Sequence, residues 1–387
     1  VLAQAGHHVT VRGVWFDPVL IDRDRDLINQ ISWRFDPILQ FQPAHPFMNR
    51  WVRLQGRIAR ESYQRFKNVS PALLGYGARM MLKAARQTQA DLTIVHSEAG
   101  LWVGHQLLKD GFRVGVDFED WFSEDLLPQS RLTRPIEHLK VLEQQLLREC
   151  RYCLVQSYAM AAAMTHAYPG ANPTVIYNCF PWAERSGMDH QNRDRRNRSL
   201  PSLHWFSQTI GPGRGLEILF QALLFLKSSA EIHLRGHYPD RAQHWLEPLI
   251  PDHWRDRVFI HPTVPNAELL SRIAEHDIGL ALESTAVLSR DLTITNKFFQ
   301  YLQAGLAVVA TNTAGQREIF SKWPTIGRMT TSNDPEALAH ALDELLLNPK
   351  DLESAKAAAL QTARDHLNWE KQAERLLQAI NSTFKDV

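Results

Sequence analysis

The fold of this chain turns on two linked stretches, Asp277-Ile-Gly-Leu-Ala-Leu282 and Asp291-Leu-Thr-Ile-Thr-Asn-Lys-Phe-Phe-Gln-Tyr-Leu-Gln-Ala-Gly-Leu-Ala-Val-Val-Ala310. They read as a buried strand, a polar loop, a helix opening at a Thr/Asn-Lys cluster, a glycine stop at Gly305 and a second buried strand. In such a unit the helix N-terminus faces the carboxyl end of a parallel sheet. Anionic groups bind there, because the first N–H groups of a helix lack partners and its dipole is positive at that end. Thr293, Thr295, Asn296 and Lys297 put hydroxyl, amide and ammonium donors at this point. Ordinary capping by Thr295 beside a solvated lysine accounts for the same residues, and the local pattern leaves both readings open.

Outward from this unit, short apolar runs alternate with helical patterns almost throughout, which points to parallel sheets wrapped by helices. Strands are expected near residues 9–11, 92–95, 113–116, 152–155 and 174–176. A second set is expected at 203–206, 231–234, 258–260, 278–282, 307–310 and 325–328. The polar segment 184–200, with Asp189, Arg193, Asp194, Arg195, Arg196 and Arg198, reads as an exposed linker between two α/β halves. The expected division is a first domain over 1–183, this linker, a second domain over 201–365, and a terminal helix over 366–387 packing back on the first.

With 387 residues the chain can hold two full cores, and 44% apolar with 22% charged residues is ordinary globular composition. A net charge of +1 gives no global field that would select nucleic acid. Three cysteines argue against a disulfide framework and for a reducing, cytoplasmic setting. Cys150-Arg-Tyr-Cys153 matches a redox spacing, but Cys150 closes a helix, whereas a reactive thiolate is stabilised at a helix start. No second ligand pair is evident for zinc, and no metal is expected. No apolar run reaches the ~18 residues of a membrane span. One segment breaks the neutral balance: 46–90 carries nine Lys/Arg against Glu61 alone, with Trp51, Tyr63, Phe66 and Tyr76 interleaved. Such a stretch can meet an anionic membrane surface peripherally, or it is a solvated helix whose aromatics pack inward.

The clearest phosphate-binding candidate is Trp205-Phe-Ser-Gln-Thr-Ile-Gly-Pro-Gly-Arg-Gly-Leu-Glu217. Gly211, Gly213 and Gly215 let backbone approach a ligand, and Arg214 can grip a phosphate with two N–H groups. It is neither a Walker loop nor G-x-G-x-x-G. Gly236 follows the next strand, and the loop 262–268, with Val264 and Glu268, follows the one after. Together with Asn296 and Lys297 these loops line one edge of one sheet. In the first half, His96 stands just past a strand end, and Asp117, Glu119 and Asp120 stand past another. Carboxylates and a histidine so placed suit acid–base work or hydroxyl binding, although a lone histidine is more often structural and one of the acids would cap a helix.

With these motifs the chain resembles glycosyltransferase family 4 and its relatives, enzymes of the B-type fold in which two doubly wound Rossmann-like domains face each other. Ala3-Gln-Ala-Gly-His-His-Val-Thr-Val11 is similar to that family's passage from a helix into its second strand. Val175-Ile-Tyr-Asn-Cys-Phe-Pro181 is similar to its interdomain passage, and 211–217 to its glycine-rich turn, with Arg214 where a diphosphate-binding lysine is usual. The run 296–318 is the most specific part. The resemblance implies a glycosyltransferase, hexosyltransferase-like and retaining, that moves a sugar from a UDP- or GDP-linked donor to a saccharide or lipid-linked acceptor, as in cell-surface polysaccharide synthesis. The donor is a substrate, and no cofactor is implied. Gln208, Gly211, Gly213, Arg214, Gly236, Val264, Glu268, Asn296, Lys297 and Gln300 would hold it, and His96, Asp117, Glu119 and Asp120 would lie near the sugar or acceptor.

Three departures stand out. The family's Glu-x7-Glu pair is absent, with Gln300 and Leu292 at the aligned positions. Gln208 stands where an arginine often helps bind diphosphate. The first strand and its acceptor loop would precede Val1, so the first domain is expected to lack a central strand, to be unstable and to support little activity. A nucleotide-sugar epimerase on the same fold, or a non-catalytic nucleotide-sugar or glycan-binding protein, are the alternatives. A dinucleotide-dependent dehydrogenase is disfavoured by the missing glycine fingerprint.

Overall fold

The structure, a computed structural model, describes residues 1–15, 17, 21, 25, 28, 31–41, 46–195 and 200–384; Arg196 and Arg198 of the polar segment lie outside the described residues. The chain forms two compact units. One comprises Val1–Val155, Ala161–Val175 and Leu376–Val387, the other Gln156–Met160 and Ile176–Arg375.

The second unit is built on one six-stranded parallel sheet. Its strands are β9 (Ser202–Thr209), β10 (Glu231–His237), β11 (Val258–His261), β12 (Ile278–Ala281), β13 (Ala307–Thr311) and β14 (Gly327–Thr330), in the order β11-β10-β9-β12-β13-β14. Every residue of β12 and β13 is buried, as continuous apolar runs must be when helices cover both faces. Gly279 in β12 has a positional reason: a Cβ there would come 2.2 Å from the Tyr301 ring, which lies directly over the strand. The helix Asn296–Ala304 stops at Gly305, whose φ of 84° lets its N–H return to the Tyr301 carbonyl at 3.1 Å. Leu203, Trp205, Ile232, Leu234, Leu280 and Val309 form the centre of the core; burying each such side chain contributes roughly 1.5–3 kcal/mol.

The order of this sheet fixes where a ligand can sit. β9 has β10 on one side and β12 on the other, so the chain's winding reverses between them. Loops leaving the carboxyl ends of β9 and β12 therefore diverge and leave a crevice, as at the switch point of any doubly wound sheet.

The first unit is more divided. β5 (Thr93–Val95), β6 (Val114–Phe118), β7 (Tyr152–Val155) and β8 (Thr174–Val175) make a four-stranded parallel sheet in chain order. Four two-residue strands form two further parallel pairs: β1 (Thr10–Val11) with β3 (Arg34–Phe35), and β2 (Val14–Trp15) with β4 (Leu39–Gln40). All the expected strands are present, whereas β2, β3 and β4 are too short to leave a periodic signal. β5 is the edge of its sheet. A cavity of about 620 Å³ lies beside it, lined by residues 92–97 on one side and 10–14 on the other. Glu143 organises the interior of this unit. Its carboxylate accepts from Trp121 Nε1 (3.1 Å), Ser123 N–H (2.8 Å), Ser123 Oγ (2.6 Å) and Tyr168 Oη (2.6 Å).

Cys150 and Cys153 are buried free thiols, and Cys153 Sγ faces the Cys150 carbonyl at 3.3 Å. The 184–195 stretch is mostly exposed, as expected, but its end turns inward. Arg195 is only 4% exposed, with Nη1 2.9 Å from Asp277, and Asp194 pairs with Arg235. The charges of Asp194 and Arg195 are matched by partners on the second unit, which a composition count cannot reveal. No described helix is long and apolar enough to cross a membrane.

Candidate functional site

The crevice in the second unit is closed from below by glycine geometry. β9 runs into Ile210, whose N–H donates to the His237 carbonyl (3.0 Å), and the loop then turns through Gly213 and Gly215 at φ of 74° and 84°. A Cβ on Gly215 would meet Leu282 Cβ at 2.4 Å, so only glycine lets this loop pack on the end of β12. The Gly213 N–H donates to Glu217 Oε1 at 2.7 Å, which fixes the turn onto the helix Leu216–Ala222. Gly211 has open space where a side chain would stand. Gly236 does not. A Cβ there would lie 2.7 Å from the Ser207 carbonyl oxygen, so this glycine serves the close approach of β10 to β9.

Trp205 joins the two cationic loops. Its Nε1 donates to the Arg214 carbonyl (3.2 Å), while Lys297 Nζ lies 5.3 Å from its ring centroid. Arg214 reaches back to Ser207 Oγ at 3.0 Å, and Lys297 pairs with Glu283 at 3.1 Å. Lys297 is 7% exposed, and an ammonium so buried requires a partner. Glu283 supplies the charge and Trp205 an electron-rich face, an interaction of about 1–2 kcal/mol. Glu283 is itself held in place by its N–H, which donates to Thr311 Oγ1 (3.1 Å). A cavity of about 200 Å³ is lined by Gly213, Gly215, Glu283, Thr311, Thr330 and Asn333; of this cluster it meets Glu283, while Trp205, Arg214 and Lys297 are not among its lining residues.

The helix end itself resolves one open reading. Thr295 is the N-cap of Asn296–Ala304 but makes no side-chain capping bond. Thr293, expected as a donor there, gives its hydroxyl to the Ser289 carbonyl (2.7 Å) instead. The neighbouring helix Ala314–Lys322 is capped in the ordinary way, with Thr313 Oγ1 accepting from the Gln316 N–H at 3.2 Å. The first-turn amides at Asn296 and Lys297 are thus left without a side-chain cap beside a buried lysine, as an anion site requires.

Other expected donor-site residues fall differently. Asn296 is exposed at the first helical position, Gln300 is buried one turn further in, and Gln208 is exposed at the end of β9. Val264 and Glu268 follow β11, an edge strand separated from β9 by β10, and they do not line the cavity at Glu283. Glu268 pairs with Arg193 at 3.3 Å. Trp205, Ser207, Glu283 and Thr311 were not singled out in the sequence. Glu283, standing directly after the apolar run 278–282, carried the one local signal that could have found it.

In the first unit His96 stands at the N-cap position of the helix Ser97–Lys109 without a side-chain capping bond, and Ser97 has φ of 67°, a left-handed conformation that costs about 1–2 kcal/mol outside glycine. His96 Nδ1 lies 3.3 Å from Glu119 and 3.9 Å from Asp117. Burial lowers the affinity of the imidazole for its proton, but the Glu119 hydrogen bond and the two carboxylate charges outweigh this and raise its pKa. Burial raises the pKa of Asp117 against the pull of His96, and the hydrogen bond to His96 lowers that of Glu119. The cluster therefore favours the protonated form of the imidazole, between two acids whose pKa values are pushed in opposite directions. Asp120 lies next in the chain, past the end of β6.

Known proteins share features of both units. Residues 217–378 match a sequence family described as glycosyl transferase-like. No curated protein sequence matches the chain. Among solved structures, sucrose-phosphate synthase from Thermosynechococcus elongatus is similar over 100% of this chain and 91% of its own, at 16% identity and a TM-score of 0.70. Anabaena HepE, solved with UDP, is similar over 97% of this chain and 100% of its own, at 16% identity and a TM-score of 0.68. A glycosyltransferase from Rickettsia africae is similar over 98% of this chain and 100% of its own, at 13% identity and a TM-score of 0.63. The chain thus has the B-type glycosyltransferase fold, and its second unit carries the glycosyl transferase-like sequence.

Proposed function

We propose that the protein is a glycosyltransferase that takes its sugar from a nucleoside diphosphate sugar held by the second unit. The observation that carries this is Trp205, which joins the Arg214 loop, by its backbone carbonyl, to the Lys297 ammonium beside an uncapped helix N-terminus at the switch point of the sheet. Two cations and free amide donors suit the two charges of a pyrophosphate. Anabaena HepE has been crystallised in complex with UDP-glucose, which supports a donor of this class.

In the reaction the bond between the anomeric carbon and the β-phosphate oxygen breaks, and the acceptor hydroxyl forms the new glycosidic bond and loses its proton. The nucleoside diphosphate leaves with its added negative charge next to Lys297, Arg214 and the helix dipole, and preorganised donors of this kind stabilise such a charge as it develops. Glu283 is placed to accept from a sugar hydroxyl, the contact left open by Leu292 and Gln300 at the positions of the family's glutamates. His96, with Asp117 and Glu119, supplies the acid–base and hydroxyl-binding groups of the first unit. Hexosyl transfer to a saccharide or lipid-linked acceptor, with retention, is the reading we extend from the resemblance.

Incubation with a panel of UDP- and GDP-linked sugars tests this. Release of the free nucleotide, with transfer to an added saccharide, is the expected result, and the anomeric signal of the product reads retention or inversion. Tight nucleotide binding without turnover on any donor would favour the non-catalytic binding protein.

A further inference from the structure

The helix Pro46–Phe66 of the first unit has three faces, of which only one is needed to hold it in place. Val52, Gly56 and Ala59 are buried, and Tyr63 reaches in to donate its hydroxyl to the Arg134 carbonyl at 2.9 Å. The rest of the helix is outside. Phe47 (84% exposed), Trp51 (56%), Leu54 (46%) and Ile58 (58%) all face solvent. At ~100° per residue these four lie within about 60° of one another, in one stripe along the axis. Arg50, Arg53, Arg57 and Arg60 fall within about 80°, between that stripe and the buried face. The only acid on the helix, Glu61, is paired with Arg65 at 2.8 Å, and Arg53 rests over the Phe41 ring at 5.1 Å.

We infer that this face docks on the surface of an anionic lipid bilayer. A continuous exposed apolar stripe of this length marks an interaction site rather than chance exposure. A row of arginines beside a stripe that includes Phe and Trp is the arrangement that seats the apolar side chains at the headgroup boundary and the guanidinium groups on lipid phosphates. Nucleic acid would satisfy the arginines and leave Phe47, Trp51, Leu54 and Ile58 in water, which is why the bilayer is favoured. Helix insertion is not involved, since the buried face remains packed on the first unit. The inference does not rest on the sugar-transfer reading, because donor binding belongs to the other unit.

Co-sedimentation of the whole protein with vesicles tests it. Binding is expected to equimolar phosphatidylglycerol and phosphatidylcholine vesicles, and not to pure phosphatidylcholine. Arg50→Ala with Arg57→Ala is expected to lower the partition coefficient roughly 30-fold, at about one factor of five per cation near the surface. Trp51→Ser with Ile58→Ser is expected to lower it by at least roughly tenfold, from the apolar area no longer buried. All four positions are exposed, so melting temperatures stay at the wild-type value, and a conservative Trp51→Phe variant retains binding. The inference is overturned if anionic vesicles are not bound, if neutral vesicles bind equally, or if either pair of substitutions leaves binding unchanged. Tight binding to duplex DNA that ignores Trp51 and Ile58, with no vesicle binding, would assign the arginine face to nucleic acid instead.

Discussion

The two units solve the same problem, a parallel sheet with polar groups at its strand ends, in different ways. In the second unit one unbroken six-stranded sheet leaves a crevice at its switch point, and a single tryptophan bridges the loops there, through the Arg214 backbone carbonyl and the Lys297 ammonium. In the first unit the described strands fall into three separate sheets, with a cavity of about 620 Å³ alongside β5. There the polar cluster is held by local strain at Ser97 and by the ion pairs of His96. A site made by sheet order is rigid because the core holds it, whereas a site made by one turn and a charge balance responds to pH.

The sharpest way to test this contrast is to attack the interior of the first unit. Glu143→Leu removes the acceptor of four hydrogen bonds and leaves their donors buried. A loss of about 3–5 kcal/mol is expected, confined in hydrogen exchange to the first unit. Loss of protection in both units together would mean that they unfold as one body, and the contrast would fail. In the second unit the matching experiment is Gly215→Ala, which adds left-handed strain and a clash with Leu282. Together these should cost about 2–4 kcal/mol and displace the Arg214 loop, seen as weakened nucleotide binding.

Arg214→Ala separates binding from stability. The side chain is exposed, so the melting temperature should hold while affinity for the nucleoside diphosphate falls by about 1.5–3 kcal/mol, the range for hydrogen bonds to charged groups. A variant that binds as tightly as wild type would remove Arg214 from the site.

The smallest effect is the most diagnostic of the first unit. The pKa of His96 is raised, so the protonated form is favoured in the folded state. The stabilisation it adds is complete below the ordinary imidazole value of about 6.5 and is lost as pH rises through the folded value. The His96 ring titration followed by NMR should show this upward midpoint. Glu119→Gln should move it downward, because burial then meets only the charge of Asp117. An unmoved midpoint would mean that Glu119 does not govern the cluster.

These outcomes also show how far the sequence could be read. Buried strands such as 278–282 and 307–310 declare themselves as apolar runs, and the Gly305 stop and Lys297 cluster follow from local chemistry. Arg214 and Lys297 were both visible, and the resemblance put them on one diphosphate, but the Trp205 contact that links their loops was not, because it depends on β9 and β12 being neighbours. That adjacency follows from the packing of the whole sheet and leaves no mark on either strand alone. Glu283 left only its place after an apolar run as a signal, since its significance comes from facing a lysine fourteen residues on in the chain. At Gly236 the sequence suggested room for a ligand, and the structure gives the glycine a further reason, the close approach of the Ser207 carbonyl. Val264 and Glu268 looked equivalent to the other loop residues until the strand order placed β11 at the edge.

The measurement that bears most directly on the central idea compares a nucleoside diphosphate with its parent nucleoside by calorimetry. UDP and uridine, then GDP and guanosine, are titrated into wild type and into Lys297→Ala. One diphosphate should bind wild type far more tightly than its nucleoside, and Lys297→Ala should bring the two close together while leaving the nucleoside's affinity unchanged. If diphosphate and nucleoside bind wild type equally, or if the substitution weakens both alike, Lys297 and Arg214 do not hold a pyrophosphate.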